Sequence, residues 1–514
     1  MQHLELIEKK TIMLTVMAVL FFSAVNQTIV GTALPKIVSS LGGMEYFNWV
    51  FTIFMLSSSI ASILAGRLSD HYGRKPFFIF GILSLILGSL LCGFSESMIQ
   101  LIIFRGFQGV GAGIIISLSF ASVGDLFHQK ERGKWQGWLT SVFGLSSLVG
   151  PTMGGYISDH FHWNWIFWIF LPLGFIAFFV MIRYYPRQNI TPSKLVIDYA
   201  GTAVFTLSIS SLLYYISILG IEKASMQREG ILLFGIIMLI WFVMIELKAE
   251  DPVIPLFLFK KNTFLVSNTV SFFLGMGMFG VIIYIPFFMQ GVMQVSATDS
   301  GIVMMAMTLS MVAASTLGGN VISRTGSYRI LGAVGIILMI IGLFLMSLMK
   351  MDSGIWDTFF RVVIFGAGLG TSFTVFTLSV QFEVEKQNIG VAVSSVQLFR
   401  QIGGTAGVAM FSGIFGSLMN ERIQKMSSLL NSSILPESAK KLLSNPKILL
   451  NQNALYRMTE GQSGTVLEKI RESIFVLREN MGAVLNDVFL VSTYFLIFSL
   501  IISLFLKEVV LEEK

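Results

Sequence analysis

The sequence predicts an all-α, polytopic membrane protein, and three observations support that fold class. Of the 514 residues, 54% are hydrophobic and only 12% are charged, whereas about a quarter of the residues in soluble domains are charged. The mean hydropathy is +0.77. Apolar runs of about 20 residues, the length at which a helix crosses a bilayer, recur along the chain. We therefore expect a bundle of membrane-spanning helices.

Fourteen apolar runs are predicted to cross the membrane. The first run is too long, and the pattern recurs too often, for a cleaved signal peptide. The single cysteine, Cys92, leaves no partner for an intrachain disulfide, so helix packing must hold the fold together. The predicted spans are residues 12–34, 47–66, 77–95, 99–122, 135–156, 165–185, 198–220, 231–249, 264–290, 301–321, 331–350, 358–381, 390–419 and 485–506.

Basic residues are divided unevenly between the two sets of loops. With the N-terminus inside, the short loops of the outer side carry only Lys36, Lys223, Arg228 and Lys350, and the alternate loops carry most of the other lysines and arginines. Cytoplasmic loops are enriched in Lys and Arg. We therefore predict a cell-membrane protein with both termini in the cytoplasm. The net charge of +6 follows from this bias, and no basic helix face indicates a nucleic-acid partner.

An internal repeat divides the chain into two halves. FRGFQGVGAG at Phe104 matches FRVVIFGAGLG at Phe360, and the glycines of the two segments are offset by a constant interval. Tandem duplication of a helical block gives two halves with a cavity between them. We predict a first six-helix bundle at residues 1–190, an inserted two-helix hairpin at 191–262, and a second six-helix bundle at 263–514 with an extracellular loop at 420–482.

Ordered motifs identify a family resemblance. The chain resembles a major facilitator superfamily transporter of the fourteen-span drug:proton antiporter group, from about Val25 to Gly407. Any one motif is weak, whereas their order and their positions relative to the spans are specific. The motifs are NQTIVGTALPKI at 26–37, GRLSDHYGRK at 66–75, FRGFQGVGAG at 104–113, DLFHQKERGKWQG at 125–137, GPTMGG at 150–155, WNWIFWIFLPLG at 163–174, IDYAG at 197–201 and RQIGGTAG at 400–407.

The resemblance implies a major facilitator fold and an exporter of amphipathic drugs or toxic lipophilic compounds. Export would proceed by alternating access with the proton gradient as the energy source and no other cofactor. The 66–75 motif would latch the cytoplasmic side, with acidic residues exchanging partners among basic ones. The alternative is a hairpin whose basic residues only set the membrane orientation. The positive-inside rule accounts for the lysines and arginines but not for an aspartate. The latch residues are Gly66, Asp70, Gly73, Arg74, Lys75, Asp125 and Arg132.

A glycine-rich segment in the fifth span resembles the antiporter signature of the family. Glycines permit close helix contact, and a proline loosens one helical turn. Such a segment suits an interface along which two helices slide. Small-residue packing without a mechanistic role is the alternative. The residues of this motif are Gly144, Gly150, Pro151, Gly154 and Gly155.

The first span departs from the family pattern. Relatives normally place an aspartate where this chain has Asn26, and an amide does not titrate. No predicted span carries a carboxylate near the bilayer centre. Helix rise places Asn26 and Arg105 at the same depth, so Arg105 should donate to the Asn26 carbonyl. Proton coupling would then run through Asp70 or Asp125, or transport would use another ion or none.

The predicted cavity is cationic and amidic, which favours neutral or anionic amphiphiles over quaternary cations. For each amide, an interhelical hydrogen bond without a substrate contact is equally plausible. The predicted cavity residues are Asn26, Gln27, Arg105, Gln108, Gln290, Gln397, Arg400 and Gln401.

Two other functions stay open. An exporter or flippase of a lipid or lipid-linked metabolite fits the arginines and the missing acid. A membrane enzyme would use Asp159, His160 and His162, but these lie beside aromatic residues in a context typical of interface anchoring. We expect no enzymatic activity and no metal site. The expected partners are a small amphipathic substrate and membrane lipids, with the chain acting as a monomer.

The polar stretch at 420–482 contains one helix signal. Thr465 and Glu468 form a capping box, and apolar residues follow at helical spacing from Leu467 to Met481. This pattern predicts an amphipathic helix. It would rest on the outer leaflet, cover the exit of the cavity, or form an inert surface hairpin.

Overall fold

A computed structural model describes most of the chain. The described residues are 6–42, 49–186, 198–218, 226–249, 252, 254–325, 327–385, 388–426, 436–443, 448–449, 452–459 and 464–507. Within them the regular structure is helical, without a β-strand. The all-α prediction is confirmed.

The first bundle runs from α1 to α8. Its helices are α1 (Leu6–Thr28), α2 (Val30–Leu41), α3 (Trp49–Tyr72), α4 (Arg74–Gly93), α5 (Met98–Leu126), α6 (Gln129–His160), α7 (Trp165–Trp168) and α8 (Leu171–Tyr184). A hairpin of α9 (Tyr199–Ile218) and α10 (Met226–Glu246) follows.

The second bundle begins after a 3₁₀ turn at Leu256–Lys260. It contains α11 (Asn262–Phe287), a π-helical segment (Phe288–Val292), α12 (Ala297–Thr325), α13 (Arg329–Met346), α14 (Ile355–Glu383), α15 (Ile389–Lys425), α16 (Glu437–Leu443), α17 (Gln452–Thr459) and α18 (Gly464–Ser503).

Twelve described helices are long and apolar enough to span a membrane. The remaining predicted spans coincide with α6 and α9. Polar and charged residues at the start of α6 lower its hydropathy, yet it packs lengthwise on α12, from Gly133 beside Gly319 to Gly144 beside Thr308. The apolar part of α9 is short, at Ala200–Tyr215, and α9 packs along α10, where Ser208 donates to the Gly235 carbonyl at 3.1 Å.

Two predicted spans have different limits in the structure. The predicted span 12–34 is two helices, because α1 ends at Thr28 and α2 begins at Val30. The last span and the predicted amphipathic helix are a single 40-residue helix, α18. The apolar stripe of that helix is buried at Ile470, Leu477 and Met481 against the second bundle. The prediction that this helix rests on the outer leaflet is therefore wrong.

The internal repeat is visible in matching glycine contacts. Gly111 in α5 lies against the Gly81 carbonyl of α4, and Gly368 in α14 lies against the Gly335 carbonyl of α13. Gly113 and Gly370 likewise lie against the carbonyls of Ser58 and Met311. Glycine lets helix backbones approach within the distance that a Cβ would fill. The two halves are therefore built by the same packing pattern.

The two bundles meet along two equivalent helix pairs, which we call the seam. In one pair, Gly66 of α3 lies against Gly390 of α15, and in the other Gly319 of α12 lies against Gly133 of α6. The helices α4, α6 and α15 all begin at the same end of the molecule. We call this end the basic end. These glycine pairs lie near that end, because each is within about ten residues of a helix terminus there.

Candidate functional site

A glycine turn at the basic end places the residues of the predicted latch. The α3 helix ends at Tyr72, and α4 begins at Arg74. Between them Gly73 has a φ of +86°, a conformation that glycine adopts without the steric penalty of a side chain. The turn brings Asp70, in the last turn of α3, next to Arg74, the first residue of α4.

Asp70 joins the first bundle to the second. Its Oδ1 accepts from the Gly390 N–H at 3.0 Å, and its Oδ2 accepts from the Val391 N–H at 3.1 Å. These amides belong to the first turn of α15, whose N–H groups lack intrahelical partners. The helix dipole also favours a negative charge there. The Asp70 carboxylate therefore caps a helix of the opposite bundle.

Arg74 holds two carboxylates at the same point. Its Nη2 donates to Asp70 Oδ1 at 2.8 Å, and its Nε donates to Asp125 Oδ2. Its Nη1 donates to Ser69 Oγ at 3.0 Å. The Arg74 and Asp70 side chains are only 2% and 1% exposed. Removing one partner of a buried pair costs about 3–5 kcal/mol, so this cluster resists partial disruption.

The other predicted latch residues contact backbone carbonyls. Arg132 donates from Nη2 to the Gly124 carbonyl at 2.8 Å and from Nη1 to the Gln381 carbonyl at 3.5 Å. The second of these bonds crosses the seam. Lys75 donates to the Ile182 carbonyl at 2.6 Å. Both carboxylates are thus held by Arg74 in this conformation.

The predicted contact between Arg105 and Asn26 is present. Arg105 Nη1 donates to the backbone carbonyl of Asn26 at 3.0 Å and to Gln108 Oε1 at 2.6 Å. Its guanidinium lies over the Phe54 ring, with Cζ 4.1 Å from the ring centroid. Gln108 Nε2 donates in turn to Asn26 Oδ1 at 2.9 Å. Arg105 has no exposed surface, so its bonds tie α1, α3 and α5 together inside the first bundle.

The break between α1 and α2 lies close to the fifth predicted span. Gly150 of α6 faces Thr28, the last residue of α1, and Thr28 Oγ1 donates to the Ser146 carbonyl at 3.2 Å. Gly144 faces Val312 and Thr308 of α12. The α6 helix therefore contacts the break on one side and the opposite bundle on the other.

The remaining glycines of that motif have other surroundings. Gly154 is buried, and a Cβ on Gly155 would meet no atom within 4 Å. Pro151 lies inside α6, and its side chain is outside the described residues. Close helix contact is therefore present at Gly144 and Gly150 and absent at Gly155, and the sliding role stays a prediction.

Arg400 belongs to α15, one of the seam helices, and lies at mid-depth. It lies eleven residues into α15, about 17 Å from the basic end at ~1.5 Å per residue. Its Cζ is 3.7 Å from the centroid of the Phe373 ring of α14. Its Nη1 reaches Gln397 Oε1 at 3.5 Å, while Nε and Nη2 have no hydrogen-bond partner among the described residues.

The other predicted cavity amides are dispersed. Gln401 Oε1 accepts from Ser59 Oγ of α3 across the seam. Gln290 lies in the π-helical segment, and its backbone carbonyl accepts from Gln294 Nε2 at 3.2 Å. Gln27 is half-buried in the last turn of α1. Gln397 contacts the Arg400 guanidinium.

Buried acidic groups in the described part of the chain lie near helix ends. Within the described residues, the buried carboxylates Asp70 and Glu246 lie in the last turns of α3 and α10. Among the described residues, no group of three or more His, Cys, Asp or Glu side chains could hold a metal ion. His160 stacks on Tyr156 with ring centroids 4.4 Å apart, and His162 Nδ1 contacts Asn164 Oδ1. These contacts fit aromatic anchoring.

An apolar cleft of about 430 Å³ lies between the first bundle and α9. Residues of α3, α4, α5 and α9 line it, including Ile60, Phe77, Ile114 and Thr206. Such a lining suits an alkyl or aromatic group and offers almost no hydrogen bonds.

Sequence reasoning missed several residues of the site. Gly133, Gly390 and Val391 complete the seam contacts, and Phe54 and Phe373 are the ring partners of Arg105 and Arg400. The repeat could have revealed Gly133 and Gly390, because they are separated by the same interval as the glycines of α5 and α14. Nothing in the sequence marks the two phenylalanines among the 46.

Comparisons with known proteins give a consistent result. The family model described as Major Facilitator Superfamily matches residues 16–408. The chain is 35% identical to the "Multidrug transporter protein MdtP" of Bacillus subtilis (strain 168), covering 98% of this chain and 94% of the relative. It is 34% identical to the "Multidrug resistance protein 3" of the same organism, covering 81% and 82% respectively.

Two solved structures are similar in fold. The human organic anion transporter MFSD10 (TETRAN) has a TM-score of 0.59 at 12% identity, covering 95% of this chain and 99% of that chain. The proton:xylose symporter XylE has a TM-score of 0.58 at 12% identity, covering 90% and 98%. At this identity the likeness concerns the fold alone.

Proposed function

The chain belongs to the major facilitator superfamily, and we propose that it exports amphipathic drugs or toxic lipophilic compounds across the cytoplasmic membrane by alternating access. Its family and the multidrug transporters among its relatives support export. The contact between Asp70 and the first turn of α15 carries the mechanistic part of the proposal. We assign the basic end, and with it both termini, to the cytoplasm from the loop charges.

The latch would hold the cytoplasmic side closed while the cavity faces outward. Opening that side requires α15 to leave α3, so Asp70 loses both amide donors. Arg74 remains beside Asp70 and Asp125 and limits the cost of exposing the two carboxylates. The hydrogen bond from Arg132 to the Gln381 carbonyl would break in the same step. Because both bundles belong to one chain, a monomer suffices for this cycle.

We propose that coupling to proton influx runs through the latch carboxylates. Asn26 occupies the family's aspartate position and does not titrate. The buried carboxylates that the structure describes lie at helix ends. Protonation of Asp70 or Asp125 would weaken their bonds to Arg74 and to α15, which links proton binding to opening of the cytoplasmic side.

Reconstitution into proteoliposomes tests both parts of the proposal. Uptake of cationic, neutral and anionic amphiphiles is measured with and without a proton gradient, while an enclosed pH dye reports proton flux. We expect gradient-dependent transport, with coupled proton flux lost in Asp125→Asn and kept in Asn26→Ala. Unaltered coupled proton flux in both Asp70→Asn and Asp125→Asn would contradict coupling at the latch.

Export of a lipid or lipid-linked metabolite is the second candidate function. The buried guanidinium of Arg400 and the apolar cleft beside α9 favour it. The same proteoliposomes distinguish the two functions. Movement of a fluorescent phospholipid between leaflets, without transport of soluble amphiphiles, would favour lipid export.

A further inference from the structure

Arg400 is a buried cation with too few partners. The residue is 7% exposed. A guanidinium carries five N–H donors, and the described residues offer this one a single bond, at 3.5 Å, to Gln397. Its Nε and Nη2 have no described partner. Burying a charge without compensation costs several kcal/mol, so the position needs an explanation other than stability.

Arg105 provides an internal comparison. It is also buried and also lies over a phenylalanine ring, but it donates to the Asn26 carbonyl, to Gln108 Oε1 and, at 3.4 Å, to the Val50 carbonyl. Its acceptors come from helices of its own bundle. The two arginines therefore differ in degree: Arg105 has three acceptors and leaves Nη2 without a described partner, whereas Arg400 has one long bond and leaves both Nε and Nη2 without one.

Arg400 lies on a helix that contacts the opposite bundle. Two residues of α15, Ser394 and Gln401, contact Ser117 and Ser59 of the first bundle. Gln397 and Arg400 lie between them in sequence, next to α14. The backbone of α15 is fixed at this level, because Gly275 lies against the Arg400 carbonyl and Gly403 lies against the Phe272 carbonyl of α11. The guanidinium is thus presented on a rigid helix at the seam.

We propose that Arg400, assisted by Gln397, is an anion-recognition site and that the exported compounds include amphiphiles carrying a carboxylate. This inference rests on the proposed export function. The planar guanidinium matches a carboxylate through two parallel N–H···O bonds. The Phe373 ring beneath it fixes the guanidinium plane and offers an apolar surface to the body of the ligand. The absence of a described carboxylate at this depth disfavours lipophilic dications.

Ligand binding to the purified full-length protein in nanodiscs tests the assignment. The probe is a dansyl-labelled fatty acid, compared with its uncharged methyl ester and with ethidium. We expect the fatty acid to bind at least tenfold more tightly than the ester. Arg400→Gln should abolish this preference and leave ester binding unchanged, and Arg400→Lys should retain part of it, because an ammonium keeps the charge without the planar fork.

A matched control separates the site from general loss of charge. Arg361 pairs with Asp357 at 2.6 Å in the second bundle, so Arg361→Gln should leave the carboxylate preference intact. Melting temperatures of all variants check folding. Chloride at physiological concentration should not displace the fatty acid, and equal displacement would overturn the assignment to an organic anion.

Two further outcomes distinguish failure of the anion site from failure of the proposed export function. If the protein exports the ester but Arg400→Gln binds the fatty acid as the parent does, the anion site is wrong and export stands. If the preference depends on Arg400 but no compound is transported in proteoliposomes, the site stands and the proposed function is wrong.

Discussion

Buried charges give individual residues distinct tasks in this molecule. Asp70 and Arg74 are nearly inaccessible, and each has several bonding partners. Arg105 has three carbonyl or amide acceptors and leaves Nη2 without a described partner, whereas Arg400 has one acceptor and leaves both Nε and Nη2 without one. Because an ionised side chain in a low-dielectric interior is stable only with partners, the number of bonds distinguishes a structural arginine from one that is available to a ligand.

Under the proposed latch mechanism, Asp70→Asn should weaken closure at the basic end. The amide has one acceptor oxygen and no charge, so at least one bond to α15 and the ion pair with Arg74 are lost. Hydrogen bonds to charged groups contribute about 1.5–3 kcal/mol, and we expect at least a tenfold fall in drug efflux from whole cells.

Ser323→Ala is the matched control for Asp70→Asn. Ser323 lies beside the Gly133–Gly319 contact, and its hydroxyl bonds to the Gly319 carbonyl within its own helix. Efflux should stay within twofold of the parent. Equal efflux in Asp70→Asn and Ser323→Ala would contradict the latch.

Close backbone contacts govern how whole elements meet. The α6–α12 and α3–α15 pairs approach through glycines, and α6 adds contacts to the α1–α2 break through Gly150. Glycine is costly in a helix interior by about 0.5–1 kcal/mol relative to alanine. Glycine is therefore explained at these points by the close approach of two helix backbones and not by helix stability.

Gly133→Ala should disturb the seam, and Gly155→Ala should not. A methyl group at 133 would overlap the backbone carbonyl of Gly319, whereas one at 155 meets no atom within 4 Å. We expect Gly133→Ala to reduce efflux at least fivefold. Gly155→Ala should keep efflux and raise the melting temperature in detergent slightly, because alanine favours the helix. Similar melting temperatures and efflux in both variants would argue against seam packing.

The end of α11 is fixed by the first part of α18. Arg478 donates from Nε and Nη2 to the Val292 carbonyl at 2.9 and 2.7 Å, at the end of the π-helical segment. Arg478→Ala should free this segment, so we expect a lower melting temperature and faster hydrogen exchange at residues 288–295. Arg471→Ala, an exposed residue on the same helix, is the control. Unchanged exchange in Arg478→Ala would show that these bonds do not hold the segment.

At the scale of the whole molecule, the proposed alternating-access cycle requires the seam to open and close. Ser141 and Thr316 lie across it with their hydroxyl oxygens 3.4 Å apart. In the double variant S141C/T316C, oxidation should form a disulfide that locks α6 to α12 and stops efflux in vesicles, and reductant should restore it. The native Cys92 is buried and stays in place. Full efflux after complete cross-linking, or loss in either single variant, would argue against movement at this position.

Some parts of the fold and of the candidate site could be predicted from the sequence, and others could not. The helical class, the repeat and the Arg105–Asn26 contact follow from hydropathy, spacing and helix rise. The break at Ile29 did not follow, because a single apolar run continues through it. The continuous α18 does not follow either, since the amphipathic pattern of its first half predicts a separate surface helix. In both cases packing against neighbouring helices decided where the helix ends.

The family, the membrane architecture and the residue types at each depth follow from the order of amino acids alone. These depend on local hydrophobicity and on helical spacing, which tertiary contacts do not alter. Only the tertiary structure decided which buried charges are satisfied. Asp70 finds its amide donors 320 positions away, and Arg400 keeps Nε and Nη2 without a described partner. Hydrogen-bond satisfaction is a property of distances between helices, and chain order does not contain those distances.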